Sequence, residues 1–281
     1  MGRSFRGRPL PFTLAFRRVL AFNAAQISHR GSGGCEIPRS QRVTQSRLLS
    51  IDIARTAALC GMIAFHVVFD LQMFGHLPYG TTATPVFYWH ARIVAGSFIF
   101  LAGVSLWLAH GNGIRWPAFW RRWGKLVVAA ALVSAATYAA FPAYFVWFGI
   151  LHSIAASSLI GLIFLRLPAL VTAAAGAAIM AASYHLPADA FNAPLLRFVG
   201  LATIPAETID FEPIFPWTGP FLLGLATARL ASNLNLWPAL SLPDRPLTRA
   251  LAWPGQHSLL IYLIHQPVLM GLIWAVTRLS S

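Results

Sequence analysis

Four side chains that can carry charge or move a proton, Asp52, Arg55, His66 and Asp70, fall within one apolar stretch, SIDIARTAALCGMIAFHVVFDL, whose remaining residues suit a lipid interior. On a helix advancing 100° per residue they share a stripe about 60° wide, with Arg55 and His66 about 16 Å apart along the axis. An ionisable group in a bilayer costs several kcal/mol unless it faces a polar interior. A snorkelling arginine and an aspartate at each helix end account for Asp52, Arg55 and Asp70, but not for His66, which lies a turn inside the stretch. An imidazole titrates near neutrality and can take a proton or accept an acyl group. A guanidinium upstream on the same face can hold a phosphate or a polarised carbonyl.

Further polar residues punctuate later apolar runs. His90 and Arg92 are separated by about 200° of helix and so face different neighbours: His90 shares a face with Ser97, Arg92 with Gly96 and Gly103. His152 stands in WFGILHSIAASS, and Pro216 and Pro220 in EPIFPWTGP free backbone carbonyls that need polar partners. In GQHSLLIYLIHQP, Ser258, Tyr262 and His265 fall within about 60° of one another, with Gln266 adjoining. No histidine pair has the i, i+4 spacing, HExxH is absent, and Cys35 and Cys60 lie far apart in sequence, so no metal is predicted. Walker-type, GxGxxG and GxSxG loops are also absent.

The elements that must position these groups are helices in lipid. The chain is 57% hydrophobic and 10% charged, against about 25% charged in soluble domains. The pattern predicts an all-α, polytopic transmembrane bundle of about seven spans, near 49–69, 85–109, 124–141, 145–165, 168–186, 213–232 and 257–278. Prolines at 85, 117, 142, 168, 187, 213 and 254 mark their edges. Ser153, Ser157 and Gly161 form a ridge suited to close helix contact. Residues 1–46, basic with Glu36 as their one acid, read as a disordered cytoplasmic extension ahead of a membrane domain over 47–281.

The net charge of +13 points to membrane lipid and not to nucleic acid, because the positive residues sit in short loops and in the leader. With the N-terminus cytoplasmic, eight Lys and Arg beyond the leader fall inside and two, Arg197 and Arg278, outside. Arg115, Arg121, Arg122 and Lys125 set that topology and could also dock a nucleotide. The segment 187–212 becomes an external loop carrying four of the eight acids, a lid or docking surface.

The Arg55…His66 pair, with ten residues between, matches the R-x10-H signature of acyltransferase-three type membrane O-acyltransferases. The fuller pattern resembles the bacterial relatives of heparan-alpha-glucosaminide N-acetyltransferase. It is carried by LLSIDIARTAALCGMIAFHVVFDL, FLAGVS, FGILHSIAASS, FEPIFPWTGPFLLGLA and HSLLIYLIHQPVL, in that order over residues 47–278. The resemblance implies a multi-pass enzyme of the bacterial inner membrane that takes acetyl-CoA from the cytosol and acetylates a sugar or glycoconjugate on the far side. The chain is shorter than the lysosomal enzyme, and His66 stands where that enzyme's first helix has asparagine. His90 matches, by order, the histidine that follows there. The expected catalytic groups are His66, Asp70 as its orienting partner, and His90. The expected substrate and acyl-CoA contacts are Asp52, Arg55, Arg92, His152 and His265. A secondary transporter or flippase using the same stripe is the competing reading, disfavoured because the chain shows no internal repeat.

Overall fold

The computed structural model describes residues 48–280, and the regular elements among them are all helical. The expected 1–46 extension lies outside the described residues. The helices are α1 (Leu49–Met73), α2 (Pro85–His110), α3 (Trp116–Ala140), α4 (Ile150–Phe164), α5 (Ala169–His185), α6 (Ile214–Asn233), α7 (Trp237–Leu240), α8 (Pro246–Gln256) and α9 (Ser258–Ser280). Each of the seven sequence stretches coincides with a helix. Four of these, α1, α2, α3 and α9, are long and apolar enough to cross a membrane, while α4 and α5 are shorter apolar helices of 15 and 17 residues.

Three boundaries differ from the sequence reading. α3 begins at Trp116, eight residues before the expected start, because Pro117 in the first turn pre-sets helical φ. Arg121, Arg122 and Lys125 are therefore helical residues and not loop residues. α4 begins at Ile150, and the chain before it runs extended against the segment leading into α6: Ile209 N–H donates to Tyr144 O (2.9 Å) and Glu212 N–H to Phe148 O (3.1 Å). Pro254 lies within α8 and ends nothing; the break falls at His257. α8 itself went unread in the sequence. It is fastened to α1 by Thr56, whose hydroxyl donates to Leu251 O (2.7 Å) and accepts from Gly255 N–H (2.9 Å).

α6 occupies the centre. Its Phe221, Leu222, Leu225 and Ala228 are fully buried, packed with Ile99 and Leu106 of α2. The small residues explain how α2 and α6 come so close. A Cβ on Gly103 would collide with the Phe221 carbonyl, and one on Gly224 with the Phe100 carbonyl. Where lipid tails are as apolar as leucine, such backbone approach supplies packing energy that burial from water cannot. The Ser153–Ser157–Gly161 ridge of α4 is buried against the same core: Ser157 Oγ and Thr218 Oγ1 are 2.9 Å apart, and Gly161 faces Phe221 and Leu106.

A branched residue at the α2–α6 crossing meets backbone, which cannot rotate away. Gly224→Val is expected to cost at least about 1–3 kcal/mol, lowering the thermal unfolding midpoint of the detergent-solubilised protein. Gly124→Ala in α3, where a Cβ meets nothing within 4 Å, should leave that midpoint in place. Equal midpoints for the two variants would contradict the crossing.

Candidate functional site

A cavity of about 450 Å³ opens between α1, α2, α3, α4, α8 and α9. Arg55 of α1 and Arg121, Arg122 and Lys125 of α3 line one part of it; Ile150 and Leu151 of α4 and Tyr262 of α9 line another. Among the described residues the ion pairs are Arg55–Asp52 and Arg249–Asp244, so no carboxylate neutralises Arg121, Arg122 or Lys125. Arg122 also lies within electrostatic range of Arg55. Like charges gathered on a cavity wall with no counter-charge form a receptor for a polyanion. Arg115 stands apart from this group, its Nε donating to Ala109 O (3.2 Å).

The α1 stripe divides into two halves. In its N-terminal half Arg55 donates to Asp52 Oδ1 (2.8 Å) and to the hydroxyl of Ser105 on α2, and Asp52 is 2% exposed. In its C-terminal half the stripe packs on α9. Asp70, fully buried, accepts from Gln266 Nε2 (2.6 Å), and no hydrogen bond joins it to His66. The expected orienting role of Asp70 thus falls instead on a contact with the next helix over. The His66 ring lies edge-on to His265, centroids 4.9 Å apart. His66 Nδ1, Asp70 Oδ2, His265 Nε2 and Gln266 Oε1 are all buried without hydrogen-bond partners.

The remaining expected residues fall elsewhere. His90 donates through Nε2 to Gly61 O (2.9 Å) and stacks on Phe65, which fixes α2 against α1. Arg92, on the other side of α2 as the angular spacing requires, lies over Trp217 of α6 at 5.2 Å and over Tyr88 at 5.3 Å. His152 accepts the Gly149 N–H at Nδ1 (3.2 Å) and faces Ser134 Oγ with Nε2 (3.4 Å), so both its nitrogens are occupied at the start of α4. Of the eight expected site residues, Arg55 lines the cavity.

Three groups that the sequence reading noted without naming them as site residues stand near the cavity. Tyr262 lines the cavity, and both Asp210 and Glu212 lie within electrostatic range of it. Asp210 Oδ2 accepts the Ile150 N–H at the start of α4 (3.3 Å), where the helix dipole favours a negative charge. Burial nevertheless pushes the Asp210 carboxyl up to about 6, with that hydrogen bond opposing the rise. Burial, and then the neighbouring Asp210 charge, lift Glu212 well above the ordinary carboxylate range, with Arg92 working against them. The available signal was the Asp-Phe-Glu-Pro step just ahead of α6, two acids at the mouth of an apolar helix. Among the described residues no three His, Cys, Asp or Glu side chains are grouped to hold a metal ion.

Four membrane-length apolar helices, and a cavity with Arg55, Arg121, Arg122 and Lys125 in its lining, describe a helical membrane protein. The chain belongs to the family of the heparan-alpha-glucosaminide N-acetyltransferase catalytic domain, whose family model matches residues 47–267. That family consists of membrane acetyltransferases with acetyl-CoA as donor. No curated protein and no solved structure matches the chain.

The raised Glu212 carboxyl has a consequence for stability. The folded chain keeps a proton on Glu212 at pH values where the unfolded chain has released it, so stability falls as pH rises from about 4.5 through the folded value. Glu212→Gln removes that loss. Its thermal midpoint should exceed that of the parent by about 2–4 °C at pH 8, with little difference at pH 4. A variant less stable than the parent at pH 8 would contradict the placement of this carboxyl.

Proposed function

We propose that this protein moves an acetyl or other short acyl group from cytosolic acyl-CoA to a sugar or glycoconjugate on the far side of the membrane. The observation that carries the reading is the cavity with three cations on its wall that no carboxylate pairs with among the described residues, in a chain whose family uses acetyl-CoA. The topology proposed is seven crossings with a cytoplasmic N-terminus, supported by the excess of Lys and Arg on the side that holds Arg121, Arg122 and Lys125. The basic segment 1–46 then lies inside, ahead of the membrane domain over 47–281. The proposed location is a bacterial plasma membrane, a reading supported by the likeness of the motifs to bacterial members.

The polarity of the cavity orients the donor. CoA phosphates are held at Arg121, Arg122 and Lys125, where planar guanidiniums can grip them with paired hydrogen bonds. Arg55 completes that wall, with its own charge already balanced by Asp52. The pantetheine arm lies along Phe98, Ala102, Ile154 and Leu259, which line the cavity beyond the cations. The cations of the basic wall attract the phosphates, so the nucleotide stays there and the thioester points toward α9.

At that end the acceptor attacks the thioester carbonyl. Its proton passes to an imidazole of the His66–His265 pair, and the Tyr262 hydroxyl is placed to donate to the developing oxyanion. The Asp70 carboxylate, held by Gln266, supplies negative charge beside the imidazolium that forms when the pair takes the proton. His90, Arg92 and His152 act as positioning residues: they fix α2 on α1, α2 on α6, and the start of α4.

Equilibrium binding of labelled acetyl-CoA to the purified protein tests the donor site. Arg122→Gln should weaken binding at least tenfold, and Arg115→Gln, off the cavity wall, by less than twofold. Equal effects of the two substitutions, or none from either, would count against the reading.

A further inference from the structure

We infer that His265, through Nε2, is the atom that takes the acceptor's proton. The inference rests on the acyltransferase reading and adds to it the identity of the base.

A neutral imidazole has one N–H and one lone pair, and the partner of one nitrogen fixes the state of the other. A base needs a lone pair that nothing else occupies. At His110 and His152, Nδ1 accepts a backbone N–H, from Arg115 (3.2 Å) and Gly149 (3.2 Å), so their lone pairs are taken. At His90, Nε2 faces Gly61 O (2.9 Å), and at His257, Nδ1 faces Trp253 O (2.9 Å). A carbonyl can only accept, so those nitrogens carry the hydrogen, yet neither ring keeps its second nitrogen buried and unpartnered.

His265 combines both properties. Its Nδ1 lies 2.6 Å from Tyr262 O and must donate there, which leaves the lone pair on Nε2. That Nε2 is buried with no hydrogen-bond partner, in a side chain 9% exposed. A buried acceptor without a donor carries a desolvation cost, which a proton-bearing acceptor in the site would remove. His265 also stands one turn beyond Tyr262, which lines the cavity, and the two rings are 5.6 Å apart. His66 has a buried, unpartnered Nδ1, but no carbonyl fixes its tautomer; its role is to back the His265 ring at 4.9 Å.

The step balances without another reactant. The acceptor's oxygen or nitrogen forms a bond to the acetyl carbonyl carbon, and the carbon–sulfur bond breaks. The acceptor's proton moves to His265 Nε2. The imidazolium then returns that proton to the CoA thiolate, giving CoA thiol and a neutral histidine.

The test measures CoA release from acetyl-CoA by the full-length protein in nanodiscs, with water and with glucosamine as acceptor probes, alongside acetyl-CoA binding. His265→Asn keeps a donor toward the Tyr262 carbonyl but has no ring lone pair, and His265→Gln is the second variant. Both should bind acetyl-CoA within twofold of the parent, lose at least a hundredfold in kcat, and lose the acid limb of the pH–rate profile. His66→Ala should lower kcat while keeping that limb. A His265→Asn protein that binds and turns over like the parent with its acid limb intact overturns this inference alone, as does a limb lost in His66→Ala but kept in His265→Asn. Binding without CoA release by the parent overturns it too. A parent protein that neither binds acetyl-CoA nor releases CoA overturns the inference together with the acyltransferase reading.

Discussion

A guanidinium set among apolar helices has to be neutralised where it stands, and the way Arg55 meets that demand organises the rest of the molecule. Its partners are Asp52, one turn back on α1, and Ser105, near the end of α2. Removing one partner of such a buried pair typically costs about 3–5 kcal/mol, so α1 and α2 cannot drift apart at this level. The Asp52 carbonyl in turn abuts Gly255 of α8 so closely that a side chain there would not fit. Thr56 closes the same contact with two hydrogen bonds. α8 leads directly into α9, so one compensated charge sets the floor of the cavity and the start of the helix that carries Tyr262 and His265.

The cavity has unlike ends, and that inequality makes it more than a packing gap. Among the described residues no carboxylate pairs with Arg121, Arg122 or Lys125 in its lining, while Asp210 and Glu212 lie within electrostatic range of Tyr262, which lines it too. A polyanionic donor has one favourable orientation in such a field, nucleotide on the basic wall and acyl group inward. Beyond Tyr262 the buried atoms of His66, Asp70, His265 and Gln266 lack partners. Orphaned polar atoms of this density are uncommon in a packed interior, and here they gather beside the place where proton transfer is required.

The helical architecture was legible because lipid imposes length and apolarity on whatever crosses it; each of the seven apolar stretches is a helix, four of them long and apolar enough to cross. The start of α3 was not, since WPAFWRRWGK has the composition of a loop and only its proline signals a helical first turn. α8 escaped for the same reason: eleven residues are too few to span. The α1 stripe could be drawn from angular spacing, and Asp52 and Asp70 are indeed interior. Its division into one half on α2 and another on α9 depends on which helices lie beside it, which spacing along one helix does not encode. Asp210 and Glu212 read as acids of an external lid or docking loop because their burial is created by the return of the chain over α4. The tautomer of His265 is set by a backbone carbonyl and has no sequence signature.

The most direct measurement is a cryo-electron microscopy map of the protein in nanodiscs with acetyl-CoA bound. The account predicts nucleotide density against Arg121, Arg122 and Lys125, with the acetyl group at Tyr262 and within reach of the His265 ring. Donor density at any other place, with the cavity between α3 and α9 empty, would contradict it.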